Sequence, residues 1–224
     1  ETDVVSSGEK LNIKLQIKAN ANLADVTVGI MLRDRFGQDI FGKTLGIIGY
    51  GAIGQAVARR AQGFSMNVLY NSRSRENTDN RARATYSALE DLLEESDFIS
   101  LHVPLTNETR HMIGPKELAL MKNTAILVNT ARGSIIDQDA LVAALQDHMI
   151  AMAALDVTTV EPIALDDPLL SLPNVILTPH IASGSGDTRL QMAQMAVDNL
   201  LAGLNENPLP HSANRCSRSA KLSL

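Results

Sequence analysis

What most constrains this chain is a set of six short apolar runs: Thr44–Gly49, Asn67–Tyr70, Phe98–His102, Ala125–Asn129, Ala151–Val157 and Val175–Thr178. Most are nearly continuous in Val, Ile, Leu and Ala rather than alternating apolar with polar, which is the pattern of strands covered on both faces in a parallel sheet. Helical patterns fill the gaps. Ile53, Ala56, Val57 and Ala61 share one helix face. Ser87 and Glu90 form a capping box ahead of Leu92 and Leu93. Pro115 suits the first turn of a helix running through Met121, and Asp137 caps a helix over Gln138–Asp147 with Leu141, Ala144 and Leu145 on its inner face. A last long helix is expected from about Asp187 to Leu204, with a stripe of Ala193, Val197, Leu200, Leu201 and Leu204. Strands alternating with helices predict an α/β doubly wound parallel sheet, and six strands is the number of its dinucleotide-binding form. The 224 residues, 45% of them hydrophobic, are ample for its core.

In such sheets ligands bind beyond the carboxyl ends of the strands. The first run ends in Gly49-x-Gly51-x-x-Gly54 and opens an amphipathic helix. That spacing is weak alone and informative in this strand–turn–helix setting. Gly49 permits the tight turn, Gly51 lets backbone approach a pyrophosphate, and Gly54 lets helix and strand pack closely. The amides of Ala52 and Ile53 would face the phosphates, aided by the helix dipole. The second run ends Asn71-Ser72-Arg73-Ser74-Arg75, with Asn71 lying 22 residues beyond the first glycine. NAD-preferring domains usually carry Asp or Glu there, which would repel a 2′-phosphate. Asn71 would not, and Ser72, Arg73 and Arg75 offer donors, the arginines in a fork that matches phosphate. The expected cofactor is NADP, with NAD as the other nicotinamide option.

Three further segments directly follow the last three runs: Val128-Asn-Thr-Ala-Arg132-Gly-Ser-Ile-Ile-Asp137, Ala154-Leu-Asp156-Val-Thr-Thr-Val-Glu161-Pro, and Leu177-Thr-Pro-His180-Ile-Ala-Ser183. The fold predicts that all three meet at one sheet edge. Together with Gly42-Lys-Thr-Leu-Gly-Ile-Ile-Gly49, His102-Val-Pro-Leu-Thr-Asn-Glu-Thr-Arg110 and Asn207-Pro-Leu-Pro210, the chain resembles the D-isomer-specific 2-hydroxyacid dehydrogenase family from about Phe41 to Asn207. The resemblance implies hydride exchange between a nicotinamide and a small 2-keto or 2-hydroxy acid. Arg132 would bind the substrate carboxylate and polarise the keto oxygen. His180 would act as general acid, and Glu161 would hold its ring and favour its protonated form. Asp156 would accept a hydrogen bond from the nicotinamide carboxamide. Val103, Pro104 and Thr109 would border the adenosine, Thr130 and Ala131 the nicotinamide ribose, and Ala182 would also lie along the cofactor. The Asn71–Arg75 region is similar to that of glyoxylate and hydroxypyruvate reductases.

Family members usually carry a second domain, built mostly from the N-terminal part of the chain, which closes over the cofactor. Here residues 1–41 are expected to be a remnant of that domain with a connecting helix over Ala24–Leu32. Residues 42–183 would form the dinucleotide-binding domain, 184–210 a helix returning toward the second domain, and 211–224 a loose tail rich in Ser, Arg and Lys. The arm that commonly builds a homodimer looks shortened. The formal net charge of −5 argues against nucleic acid as a partner. No apolar run reaches the ~20 residues of a membrane helix, and the polar N-terminus does not resemble a signal peptide. A single cysteine, Cys216, suits a reducing cytoplasmic setting. No cluster has metal-ligand spacing. The competing reading is a non-catalytic dinucleotide-binding module that keeps the fold.

Overall fold

The computed structural model describes residues 40–73 and 83–212. They fall into two compact units divided between His180 and Ile181. The larger unit holds seven parallel strands: β1 (Thr44–Ile48), β2 (Asn67–Asn71), β3 (Thr85–Tyr86), β4 (Phe98–Leu101), β5 (Ile126–Asn129), β6 (Met152–Leu155) and β7 (Val175–Leu177). Their spatial order is β3-β2-β1-β4-β5-β6-β7. The chain builds outward from β1 to β3 and returns to lay β4 beside β1, with Leu45 paired to Phe98 and Ile48 to Leu101. The reversal between β1 and β4 opens a crevice at their carboxyl ends, where ligands of this fold bind. All six expected strands are present. The seventh, β3, is a two-residue edge strand pairing Leu69 with Thr85, too short for any periodicity to announce it.

Helices α1 (Ala52–Ala61), α2 (Leu89–Glu95), α3 (Pro115–Leu120) and α4 (Gln138–Gln146) connect the strands. Successive strand residues supply two cores. Ile47 joins Leu45, Ala58, Ala61, Val68 and Tyr70. Ile48 joins the larger cluster, which contains Leu92, Ile99, Leu101, Leu127, Leu141 and Leu145. Burial on alternate sides explains why the runs lack polar gaps, each Ile or Leu contributing about 1.5–3 kcal/mol. Tyr50 stacks on Tyr70 with centroids 4.0 Å apart, and Tyr86 meets Tyr70 edge-on at 5.7 Å.

Local expectations held in part. Pro115 is the first residue of α3, where Glu117 Oε2 accepts from Gly114 N–H at 3.0 Å. Asp137 caps α4, its Oδ1 accepting from Ala140 N–H at 3.2 Å, and Leu141, Ala144 and Leu145 are buried as expected. Two details differ. The buried residues of α1 are Gly54, Ala58 and Ala61, while Ile53 is 67% exposed; the helix lies so close to β1 that small residues make the contact. Nor does Ser87 cap α2. The cap position is Ala88, without a side-chain hydrogen bond. Ser87 instead adds to the sheet edge, its N–H donating to Tyr70 O at 2.9 Å.

The second unit contributes α5 (Gly186–Leu204), capped by Ser185 Oγ, which accepts from Thr188 N–H at 3.3 Å. The helix is where the stripe put it, but no residue of it is buried: Val197 is 47%, Leu200 62% and Leu204 73% exposed. Asn199 ties this unit together by accepting from His211 N–H at 2.9 Å and donating to its carbonyl at 3.1 Å. The expectations for residues 1–39, including the Ala24–Leu32 helix, and for the tail beyond 212 lie outside the described residues, as does Arg75. No described helix is long and apolar enough to cross a membrane.

Candidate functional site

The crevice at the switch point begins with Gly49. Its φ of +98° suits a residue without a side chain, and a Cβ there would sit 2.6–2.7 Å from the backbone of His102 and Val103. The turn after β1 can therefore cross the end of β4 only as glycine. A Cβ on Gly54 would strike Gly49 O at 2.2 Å, so the helix seats directly on the turn. By contrast, nothing lies within 4 Å of a Cβ on Gly51. The backbone there borders open space at a helix N-terminus, which no side chain caps. That combination fits a pyrophosphate. Gly51 lies in the wall of a cleft of about 330 Å³, whose lining includes Tyr50, Asn71, Ser72, Arg73 and Thr109. The residues present thus fit a dinucleotide. Among the described residues there is no His, Cys, Asp or Glu cluster suited to a metal ion.

Asn71 Nδ2 donates to Ser87 O at 2.9 Å, which fixes the neutral amide at the end of β2. Exposed Arg73 follows it. The opposite wall is a turn locked by Thr109, whose Oγ1 accepts from Thr106 N–H at 2.8 Å and donates to Pro104 O at 2.6 Å. Val103, Pro104 and Thr109 all line the cleft. Glu108 projects from this turn. Its carboxyl is held below the usual range, first by a hydrogen bond from Thr106, then by its own backbone N–H, with attraction to Arg73 adding. His102 also lines the cleft and shares a 2.9 Å hydrogen bond between Nε2 and Ser100 Oγ. Burial pushes its pKa down, so the ring is neutral near pH 7. The sequence reading gave His102 no role beyond opening a family-like segment; its place one residue past β4, beside the glycine turn, was the available signal.

The carboxyl ends of β5, β6 and β7 carry the remaining candidates. Asn129, fully buried at the end of β5, shapes the next turn: its Oδ1 accepts from Ala131 N–H at 3.0 Å and its Nδ2 donates to Arg132 O at 2.9 Å. This organising role was not read from the sequence, although a buried amide closing an apolar strand is a recognisable cue. Thr130 is exposed and Ala131 half-buried. The Arg132 side chain is exposed, and its Nη1 donates to Ala131 O at 2.6 Å, which uses one of its five N–H donors. At the next residue, a Cβ on Gly133 would lie 2.0 Å from the carbonyl carbon and oxygen of Thr158. The Arg132 turn is thus pressed against the loop that carries Glu161.

Asp156 is buried at the head of that loop. Its N–H donates to Asn129 O at 2.9 Å and its Oδ1 accepts from Thr178 Oγ1. The Glu161–Pro162 peptide is cis. His180 stands past β7 with a φ of +53°, an uncommon conformation for a residue with a Cβ, and its N–H is held by Asp156 O at 2.9 Å and Thr178 O at 3.0 Å. This αL turn presents the ring to Glu161: Nδ1 lies 2.7 Å from Oε2. The bond is the largest cause holding the Glu161 carboxyl below its usual range. Burial opposes it, while Thr158 N–H and the charges of His180 and Arg132 add to it. An ionised carboxylate only accepts, so Nδ1 carries the hydrogen in this contact and Nε2 is the ring nitrogen turned away from Glu161. The structure therefore pairs Glu161 with His180 directly and brings Arg132 within electrostatic reach. Ala182 belongs to the other unit, in a turn where Gly184 N–H donates to Ile181 O at 2.7 Å.

Comparison with known proteins gives a consistent result. Residues 16–182 match the family described as "D-isomer specific 2-hydroxyacid dehydrogenase, NAD binding domain". A glyoxylate reductase of Korarchaeum cryptofilum is 58% identical over 167 residues, covering 74% of this chain and 50% of that protein. Two crystal structures share the fold. A glyoxylate reductase from Paecilomyes thermophila has TM-score 0.73 and 42% identity, over 77% of this chain and 52% of its own. A D-lactate dehydrogenase with NAD+ from Lactobacillus jensenii has TM-score 0.73 and 37% identity, over 79% and 57%. The chain spans about half the length of the curated relatives it matches.

Proposed function

Because this chain belongs to the D-isomer-specific 2-hydroxyacid dehydrogenase family, through the NAD-binding domain, we propose that it acts in the nicotinamide-dependent reduction of small 2-keto acids to D-2-hydroxy acids. Arg132, Glu161 and His180 are its catalytic groups, and glyoxylate and hydroxypyruvate are its first candidate substrates. The observation that carries this reading is the 2.7 Å contact between His180 Nδ1 and Glu161 Oε2. It lies along the same carboxyl edge of the parallel sheet as the glycine cradle, past β6 and β7 rather than β1. An exposed, ionised carboxylate bonded to an imidazole beside an arginine turn is the arrangement needed to bind an anion and deliver a proton.

The bound dinucleotide supplies the hydride, and the protein supplies position and charge. Arg132 pairs its guanidinium fork with the substrate carboxylate and draws charge toward the keto oxygen. His180, held at Nδ1 by Glu161, gives the proton at Nε2 to the developing alkoxide and takes it back in the reverse direction. Asp156, Thr130 and Ala131 flank the nicotinamide end, and Val103, Pro104 and Thr109 the adenosine. A binding module without catalysis has no use for the His180–Glu161 pairing.

For the cofactor, NADP(H) is the better fit. Asn71 places a neutral amide where a carboxylate would repel the 2′-phosphate, and Arg73 stands in the cleft wall. Comparing kcat/KM for NADPH and NADH with glyoxylate and hydroxypyruvate tests both parts. NADPH-dependent turnover with a D-product is expected. A clear NADH preference refutes the cofactor assignment, and no turnover of any 2-keto acid refutes the reaction. Glu108→Gln, which releases Arg73 from a neighbouring charge, should sharpen the NADPH preference.

A further inference from the structure

Glu161 sits on an exposed turn, flanked on one side by the Thr158 backbone that packs against Gly133 and on the other by half-buried Ile163. Thr159, Val160, Glu161 and Pro162 are all exposed. Two hydrogen bonds shape the turn from within, Thr158 N–H to Glu161 Oε1 at 3.2 Å and Thr158 Oγ1 to Val160 O at 2.7 Å. Neither connects it to the rest of the domain, yet the carboxylate must stay within hydrogen-bond reach of His180.

Gln138 makes that connection. Its Oε1 accepts from Thr159 N–H at 3.3 Å, and its Nε2 donates to Asp167 Oδ2 at 2.9 Å. One side chain thus joins the front and the back of the loop 156–167. Both supports are rigid. Gln138 is the first residue of α4, whose inner face is in the core. Asp167 uses its other oxygen to accept from Leu169 N–H at 2.9 Å, and Leu169 is buried. The residue type matters: only a side chain that both donates and accepts satisfies a backbone N–H and a carboxylate at once. Beside the seam lies a small, partly open hollow of about 10 Å³ bordered by Asn129, Gly133, Gln138 and Thr158. Removing the amide would enlarge it to a hole that water can enter, and that water would compete for Thr159 N–H.

We propose that Gln138 is a positioning residue that, by joining Thr159 to Asp167, holds the Glu161 carboxylate against His180. The proposal rests on the catalytic reading of that pair, but it is tested without turnover. Gln138→Met keeps the length and removes both bonds. In this variant the Glu161 carboxyl, followed by carbon-13 NMR titration, moves up toward the ordinary glutamate value, and the Thr159 amide exchanges roughly fivefold faster or more. Gln138→Glu combined with Asp167→Asn reverses donor and acceptor between the two side chains and restores both readouts. Amide shifts of β1 and β4 report an intact sheet, and Gln138→Asn, too short to reach both partners, repeats the loss with polarity kept. Native titration of Glu161 in Gln138→Met, or no recovery in the paired variant, overturns the proposal and leaves the catalytic reading standing. Full activity of His180→Ala would do the reverse.

Discussion

Substituting Gly133 by alanine probes the seam between the Arg132 turn and the Glu161 loop. The new Cβ would lie 2.0 Å from the carbonyl carbon and oxygen of Thr158 and 2.5 Å from the nitrogen of Thr159. Comfortable carbon contacts begin near 3.5 Å, so the two segments must part by about 1.5 Å. All the obstructing atoms are backbone, and no rotamer change relieves them. Overpacking of this kind costs about 1–3 kcal/mol, which lowers the melting temperature of a chain this size by roughly 2–12 °C. The functional cost is larger. Arg132 and Glu161 lie on opposite sides of the seam, and a misplacement of about 1 Å can reduce a rate by about 10²-fold. Most dinucleotide affinity should be kept, because the glycine cradle lies at the end of β1, while any loss arises at the nicotinamide end beside Thr130 and Ala131. Thermal melting, dinucleotide titration and single-substrate kinetics on Gly133→Ala read all three quantities. A native melting temperature together with native kcat would show that this close approach does not set the catalytic geometry.

Arg132→Ala and His180→Ala should each abolish measurable turnover while keeping dinucleotide affinity; loss of general-acid catalysis alone accounts for about 10²–10⁴-fold. Because the Glu161 carboxyl is depressed below the ordinary glutamate value of 4.5, chiefly by the His180 bond, that bond is complete above this pH and is lost as pH falls through the lower folded-state value. The acid limb of the native pH–rate profile should reflect that loss, and Glu161→Gln should remove the limb along with most of the rate. At the other edge of the sheet, burial raises the Asp97 carboxyl, but Thr44 N–H and Lys122, at 2.9 and 3.0 Å, more than offset it and leave its pKa lowered. Asp97→Asn should therefore destabilise the chain by about 1–2 kcal/mol near neutral pH. The difference should shrink as pH falls below 3.8, where native Asp97 begins to lose its charge; denaturant melts across pH check this.

The strands and the crevice were legible because two-sided burial leaves an unbroken apolar signature, and because a glycine cradle is informative only between a strand and a helix. Ile47 and Ile48, adjacent in sequence and buried in opposite cores, are that signature in miniature. What escaped were features set by tertiary contact. The α1 face was misread at Ile53 because close helix–strand packing selects for small residues rather than for the most apolar ones. Ser87 has capping chemistry, but the sheet edge claimed its backbone. Of the proposed site, what the sequence made legible was that the segments carrying Arg132, Glu161 and His180 follow the last three strands, and the structure pairs Glu161 with His180. Asn129, His102 and Gln138 were not legible, since their roles depend on partners such as Arg132 O, Ser100 Oγ and Thr159 N–H, which only the folded backbone supplies.

The most direct test of the account is a single turnover: NADPH bound to the chain, glyoxylate added, and loss of the reduced-nicotinamide fluorescence followed in the native protein and in His180→Ala. The account predicts rapid oxidation in the native chain, and in the variant undiminished binding with the fluorescence retained. Failure of the native chain to bind the dinucleotide, or oxidation at the native rate in His180→Ala, would contradict it.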